Sequence, residues 1–177
     1  LDFLTEHGLD PQLGMPLYRR FGDLALERIQ ADPYLLTDGE LSVAFGQADE
    51  LAMELGFEGD HPRRVEAGVL FTLQHHLDNG HTFLPRGKLL QAAGTLLGLT
   101  DGDTLEEALV KLTSRGAVVE DRVAGEEACY LKEYYEAETH VAQRVSAMSE
   151  SELYPPEKMD ALIDKIEGHQ GITYAPL

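Results

Sequence analysis

Tryptophan is absent from the 177 residues, and Cys129 is the only cysteine. One thiol cannot form an internal disulfide and fits a reducing compartment. Stability therefore has to come from a packed core, which a chain of this length can build. No apolar run approaches the roughly 18 residues that a membrane span requires. The N-terminus shows no basic region followed by an apolar stretch and a small-residue cleavage site. The expectation is a cytoplasmic protein with no membrane partner. Basic residues are also scarce: 14 Lys and Arg stand against 32 Asp and Glu, for a net charge of −18. Such a surface repels phosphate, so tight autonomous binding of nucleic acid is disfavoured.

The motifs of catalysis are missing as well. No Gly-x-x-x-x-Gly-Lys-Ser/Thr loop is present to cradle a nucleotide, and no Gly-x-Gly-x-x-Gly replaces it. Seven histidines invite a metal reading, above all His75, His76 and His81. Adjacent histidines on a helix point about 100° apart, which separates His75 from His76. Zinc would need further ligands at regular spacing, and Cys129 is remote in sequence. Cys129 sits in a β-prone apolar run and reads as a small buried residue. Acids are so abundant that paired carboxylates carry no information, and a solvated face accounts for Glu126-Glu127 or for Glu136 with Glu138. The expectation is no catalytic residue, no metal and no cofactor of the chain's own.

What the sequence does contain is helical punctuation. Phe3-Leu4 precedes the turn-forming run Gly8-Leu9-Asp10-Pro11. An amphipathic stretch then places Leu17, Phe21, Leu24 and Leu26 near a common face. Asp32-Pro33 ends that region, because a residue before proline avoids helical dihedrals. Ala48, Leu51, Ala52 and Leu55 predict a helix over 47–55, stopped by Gly56. Helix, tight turn, helix is the helix-hairpin-helix arrangement, and two copies fit between Asp2 and Gly56. In a DNA-binding hairpin, glycines let backbone amides face a phosphate and a nearby lysine adds charge. The second turn, Ser42-Val43-Ala44-Phe45-Gly46-Gln47, has no glycine pair and no lysine, so a packing hairpin that grips nothing stands beside the DNA reading.

The next seventy residues give a second pattern. Asp60 is a candidate N-cap, Pro62 suits a first turn, and Val65, Val69, Leu73 and Leu77 line one side of a helix ended by Asn79-Gly80. His81-Thr82-Phe83-Leu84 is β-prone and closes at Pro85. Leu89, Leu90, Ala93, Leu96 and Leu97 make a second helix, and Thr104-Leu105-Glu106-Glu107 reads as a capping box opening a third. Residues 117–120 and 129–131 are short strands around a turn at Gly125. Helix, strand, helix, helix, strand, strand is the winged-helix order, with residues 104–115 in the recognition position. That helix carries Glu106 and Glu107, and the wing carries Asp121, Glu126 and Glu127 against Arg122. A structural or protein-contacting winged helix is therefore the expected one. A further helix over 133–148 is predicted by Tyr134, Ala137, Val141 and Val145. A polar stretch over 150–156, a last helix with Met159, Leu162, Ile163 and Ile166, and a strand beginning near Ile172 complete the reading.

The fold class is thus mostly α: a helix-hairpin-helix region over 1–59, a winged-helix-like domain over 60–131 and a helical connector over 132–177. Charge is uneven along it. Residues 51–100 hold four basic and five acidic side chains, against three and ten before them and seven and seventeen after. Any DNA contact is expected in this near-neutral middle, at Arg63, Arg64, Arg86 and Lys88, or at Gly46 and Gln47 of the second hairpin.

Several stretches together resemble the region preceding the motor in RecD-like DNA helicases, the stand-alone relatives of the exodeoxyribonuclease V alpha subunit. They are Phe3-Leu4-Thr5-Glu6-His7-Gly8-Leu9, Leu17-Tyr18-Arg19-Arg20-Phe21-Gly22-Asp23, Asp32-Pro33-Tyr34-Leu35-Leu36, Ala48-Asp49-Glu50-Leu51-Ala52 and Gly80-His81-Thr82-Phe83-Leu84-Pro85. Tyr130-Leu131, Tyr135-Glu136-Ala137-Glu138 and Gly171-Ile172-Thr173-Tyr174 continue the match. The resemblance implies a parent enzyme that uses ATP and Mg to unwind DNA with five-prime to three-prime polarity. It also implies an accessory segment that holds or guides DNA beside the motor domains, and the start at Leu1 and the stop at Leu177 fit a piece cut from such a parent. The family's second hairpin looks like Gly-Ile-Gly-Phe followed by Lys-Thr-Ala-Asp. Here Ser42, Val43 and Ala44 replace the first three positions, Gly46 the lysine and Gln47 the threonine. The other function left open is a non-enzymatic adaptor, whose winged helix and acidic surface bind a protein such as a replication or DNA repair partner.

Overall fold

A computed structural model of the chain describes residues 2–39, 41–78, 80–150 and 156–171. It divides into two compact units, Leu1–Glu136 and Ala137–Leu177.

The first unit starts with helices α1 (Asp2–Glu6), α2 (Gly14–Phe21), α3 (Ala25–Ala31) and α4 (Phe45–Glu54), joined through 3-10 turns at Pro11–Leu13, Gly22–Leu24 and Pro33–Thr37. The single face expected of Leu17, Phe21, Leu24 and Leu26 does not form. Gly22 adopts φ +61° and breaks the helix there, which sets α3 out of phase with α2. Leu17 and Ile29 point into the core while Leu24 and Leu26 stand in solvent. The stop expected after α4 is present. Gly56 takes φ +88°, its amide donates to the Met53 carbonyl, and the Phe57 amide donates to the Ala52 carbonyl, both at 3.0 Å. These two bonds satisfy carbonyls that a helix end leaves over.

Helices α5 (Pro62–Asp78), α6 (Arg86–Leu97) and α7 (Gly102–Ser114) come next, with strands β1 (Leu84–Pro85), β2 (Val118–Val123) and β3 (Glu126–Leu131). The chain order is helix, strand, helix, helix, strand, strand, as expected. The sheet is antiparallel in the order β1-β3-β2, with Val118 opposite Leu131 and Val123 opposite Glu126. Its hairpin turns on Ala124 and Gly125, at φ +52° and +89°, the two positive dihedrals of a two-residue turn whose twist matches the strands. Both strands run longer than the apolar stretches 117–120 and 129–131, because the polar residues between them pair in solvent where hydrophobicity gives no signal. Two caps differ from expectation. His61, not Asp60, takes the Arg63 amide through Nδ1 at 3.3 Å. Asp101, not Thr104, caps α7: its carboxylate accepts from the Thr104 hydroxyl at 2.6 Å and the Asp103 amide at 3.2 Å, which holds its pKa below the usual value.

One cluster of buried side chains runs from Leu4 through Leu36, Leu51, Val69 and Leu109 to Cys129, so the first four helices and the helices beside the sheet share a core. Gly68 lets α5 and α6 approach closely; a Cβ there would lie 2.7 Å from the Leu97 side chain.

Helices α8 (Lys132–Glu150) and α9 (Pro156–Gln170) complete the described elements. Val141 and Val145, expected as an inward stripe, are exposed. The expected strand from Ile172 lies outside the described residues, as does most of the polar stretch over 150–156. No helix among the described residues is long and apolar enough to cross a membrane.

Candidate nucleic-acid interface

The second hairpin is held from below by Phe45. Its buried ring stacks on Tyr34 at 5.9 Å and on Phe71 at 4.9 Å between centroids. Above it the Val43 amide donates to the Leu36 carbonyl at 3.0 Å. Ser42, standing where the resembled family has glycine, adopts φ +45°, the left-handed conformation that glycine takes freely. Its hydroxyl donates to the Gly39 carbonyl at 2.6 Å. A serine thus holds a left-handed turn here without a glycine. Three terms bear on this site: left-handed strain of order 1 kcal/mol, about 0.5–1.5 kcal/mol returned by the hydroxyl bond, and roughly 0.4–1 kcal/mol that glycine would lose in unfolded-chain entropy. The last two oppose the first and outweigh it slightly. Ser42→Gly should lose no more than about 1.5 kcal/mol by urea titration, and Ser42→Val should lose more than the glycine variant, since a β-branched residue is a genuine outlier there and makes no hydroxyl bond. Equal stability of the valine variant would mean that the turn is not left-handed.

Helix α4 begins directly on this turn. Ala44 is its N-cap and offers no side-chain oxygen. The Gln47 amide folds back to the Ala44 carbonyl at 3.0 Å. Gly46 and Gln47 are exposed in the first turn, at the positive end of the backbone dipole, and with the Gln47 amide engaged the Gly46 amide is the one of the two left to an anion. An oxyanion could be met there by that amide, without the lysine that would add charge.

The middle of the chain is arranged differently from its sequence. Arg64 is buried, and its Nε and Nη2 each donate to an Asp49 carboxylate oxygen at 2.9 Å. Its Nη1 serves the Gly59 carbonyl at 2.7 Å and the Leu97 carbonyl at 3.0 Å. Tyr34 donates its hydroxyl to the same Asp49 at 2.7 Å, and burial together with that carboxylate pushes the phenol pKa up. Arg64 thus serves as an internal clip, with its donors engaged inside the fold. Arg63 is paired with Asp32 and, at 2.9 Å, with Glu66. Arg86 forks onto Glu106 and reaches Glu120 at 3.0 Å. Lys88 alone of the four is exposed with no ion pair among the described residues. Arg115, not singled out from sequence, meets Glu66 at 2.8 Å. Together with Arg63 it lines a cleft of about 430 Å³ between the 37–39 loop and α5. The signal that would have found this cluster is Glu66, an acid beside the buried stripe of Val65 and Val69, which needed a cation once covered.

Helix α7 and the β2–β3 hairpin present Asp103, Glu107, Asp121, Glu126 and Glu127 to solvent, against Lys111 and Arg122. That surface repels a phosphate backbone. The ring pairs His75–His76 and His76–His81 lie near 6 Å, at 5.9 Å and 6.3 Å, and His76 Nδ1 is 2.9 Å from the Thr72 carbonyl. No group of three or more possible metal ligands converges among the described residues. Cys129 is buried, and burial with the nearby Glu120 pushes its thiol up to about 12, which keeps it protonated at neutral pH and a poor nucleophile.

Two comparisons with known proteins bear on this geometry. Residues 1–83 match the family described as the ATP-dependent RecD2 DNA helicase HHH domain, a span that reaches from α1 past α5. A stretch of 71 residues, 40% of the chain, is 38% identical to the ATP-dependent RecD2 DNA helicase of Deinococcus radiodurans and covers 10% of that protein.

Proposed function

We propose, from the premise that residues 1–83 form a RecD-like helix-hairpin-helix domain, that the chain is the non-catalytic accessory region of an ATP-dependent DNA helicase and guides DNA beside the motor. Hydrolysis of ATP with Mg, and unwinding in the five-prime to three-prime direction, belong on this reading to motor domains of the parent. The observation that carries it is the second hairpin. Its left-handed turn at Ser42, its uncapped and exposed first helical turn at Gly46 and Gln47, and its anchoring through Phe45 support a backbone contact to phosphate there.

The contacts proposed for DNA are the Gly46 amide, the Gln47 side chain and Lys88. Arg63 and Arg86 are secondary, because each must first leave a carboxylate. With so few free cations the segment contributes weakly, no tighter than the ~10⁻⁴–10⁻⁶ M of non-specific contacts. Residues 60–131 are read as a winged-helix-like domain, a reading supported by element order and by the sheet order β1-β3-β2. The acids on α7 and the wing favour a second role for that domain as a protein adaptor.

Restoring the missing charge tests the hairpin. A side chain at Gly46 meets nothing within 4 Å, so Gly46→Lys is sterically free. In the full-length protein it should tighten DNA binding several-fold and steepen the log–log salt dependence by about one, the slope of one added phosphate contact. Gly46→Glu and Lys88→Ala should move both quantities the other way. If affinity and salt slope stay fixed in all three, the hairpin lies off the DNA path and the adaptor reading takes its place.

A further inference from the structure

The cleft of about 430 Å³ between the 37–39 loop and α5 is a space that the hairpin contact does not use. Its lining residues all belong to the first unit, and it lies beside the second hairpin. Phe45, the residue before Gly46, stacks on Tyr34 and Phe71, and both of those rings line the cleft. The Gly46 amide thus stands one residue from the ring that backs the cleft. The volume falls within the roughly 300–1,000 Å³ of ligand sites, which suits one small organic group.

Charge narrows what that group is. Arg63 enters the cleft already answered by Asp32 and Glu66, and Arg115 shares Glu66 at 2.8 Å. These two bases and two acids cancel. Asp38 on the loop is paired with Arg20, which leaves Glu133 as the lining charge without a partner among the described residues, exposed and screened by water. An anion finds no net attraction in such a lining, and a cation finds only that solvated carboxylate. Hydrogen-bonding capacity remains. Arg115 is bonded through Nη1 alone among the described residues, so its Nε and Nη2 are donors to spare on a side chain 44% exposed. Glu133 is an acceptor, and the Gln74 amide carries both functions. Ala67, Leu70 and Leu131 add apolar surface to the same lining.

We infer that this cleft receives one unstacked nucleobase of a single DNA strand whose phosphate rests at the Gly46 amide. A base is neutral and offers donors and acceptors on its edges. It also stacks on a guanidinium plane such as that of Arg115, which Glu66 holds. Phosphate, the charged part of the nucleotide, stays outside the cleft. In a duplex the same base edges are paired, so the cleft selects a single strand. The inference rests on the reading of the second hairpin as a DNA contact.

The test compares, in the full-length protein, an oligodeoxythymidylate with a strand of the same length that is abasic throughout. Their phosphates are the same and only the bases differ. Affinities are read by anisotropy, and the parent's motor domains prefer bases in every variant alike, so the informative quantity is the change in the ratio of the two affinities. Ala67→Leu fills the cleft without altering charge, and Arg115→Ala removes the plane and its donors. Each should lower the ratio by about fivefold or more, the low end of one stacked base. Abasic binding should not change in Ala67→Leu. Glu133→Ala, at an exposed position, should lower the ratio in the same direction, and it carries the test if the other two variants melt early. An unchanged ratio in Ala67→Leu and Glu133→Ala overturns the inference. Equal losses for both strands in Arg115→Ala would make that residue a phosphate contact and overturn it too. Gly46→Lys goes through the same comparison. If it tightens both strands alike while the cleft variants leave the ratio fixed, the cleft fails and the hairpin stands; if it tightens neither, the hairpin reading fails on its own measure.

Discussion

Arg64→Ala should destabilise the first unit by about 3–5 kcal/mol, the cost of removing one partner from a buried ion pair. The substitution leaves the Asp49 carboxylate, only 19% exposed, with Tyr34 as its remaining side-chain partner. It also withdraws the donor from the carbonyls of Gly59 and Leu97, the latter at the end of α6. Against a typical total of about 5–15 kcal/mol this is a large share. The pair's net worth is a different quantity from the cost of breaking it, since burying both charges was itself unfavourable. Arg64→Met combined with Asp49→Leu should therefore lose clearly less than Arg64→Ala alone. Urea titrations of both variants measure this. A loss below about 1 kcal/mol for Arg64→Ala would place the guanidinium in water and reopen it as a phosphate contact. Arg64→Lys should fall between, because an ammonium cannot reproduce the two-pronged bond to Asp49 while also serving two carbonyls.

Much of the fold was legible because its punctuation is local. Gly56, Gly98 and Gly116 each come after a helix at positive φ, and the order of elements from Pro62 to Leu131 could be read from caps, breakers and apolar spacing. Misreadings occurred where a local signal had a stronger neighbour. Thr104 has the form of a capping residue, but Asp101 holds a carboxylate that accepts both the Thr104 hydroxyl and the Asp103 amide. The stripe drawn through Leu17, Phe21, Leu24 and Leu26 assumed one helix, and a single left-handed glycine at 22 divides it. Close approach of α5 to α6 at Gly68 had no signature at all, since glycine inside a helical pattern reads only as a weak point.

The candidate site was less legible, for an electrostatic reason. Arg63, Arg64 and Arg86 stand out in sequence because their immediate neighbours are neutral, yet, Glu66 beside Arg63 apart, their carboxylate partners are Asp32, Asp49, Glu106 and Glu120, each 15 to 34 residues away. In a chain with more than twice as many acids as bases, each partly buried cation finds a carboxylate once the chain is packed. Lys88, exposed and unneeded by the core, is what that rule leaves over. Departures at the second hairpin were visible from residue identities, but their consequence was not. They put a phosphate grip in doubt, but only the structure shows that Ser42 takes a left-handed φ of +45° without a glycine.

Leu109→Ala and Leu112→Ala should each cost about 2–5 kcal/mol, because both side chains are fully buried on α7 and truncation leaves a cavity that the surroundings only partly fill. Val110 between them is 55% exposed, so Val110→Ala should stay within about 0.5 kcal/mol and serves as the internal control. The reach of these two substitutions comes from the core. Leu109 and Leu112 belong to the same buried cluster as Leu36, Phe45 and Leu51 beneath the second hairpin. A single domain of this size with one core unfolds as one unit. Loss of packing on α7 should therefore lower hydrogen-exchange protection in α4 by the same free energy as in α5, although α7 and the hairpin are far apart in sequence. Exchange rates resolved by residue, compared between Leu109→Ala and the unsubstituted protein, give the answer. Protection lost in α5 to α7 but unchanged in α4 would show two independently folding parts, and the hairpin would then not be held rigidly enough to position DNA through this core.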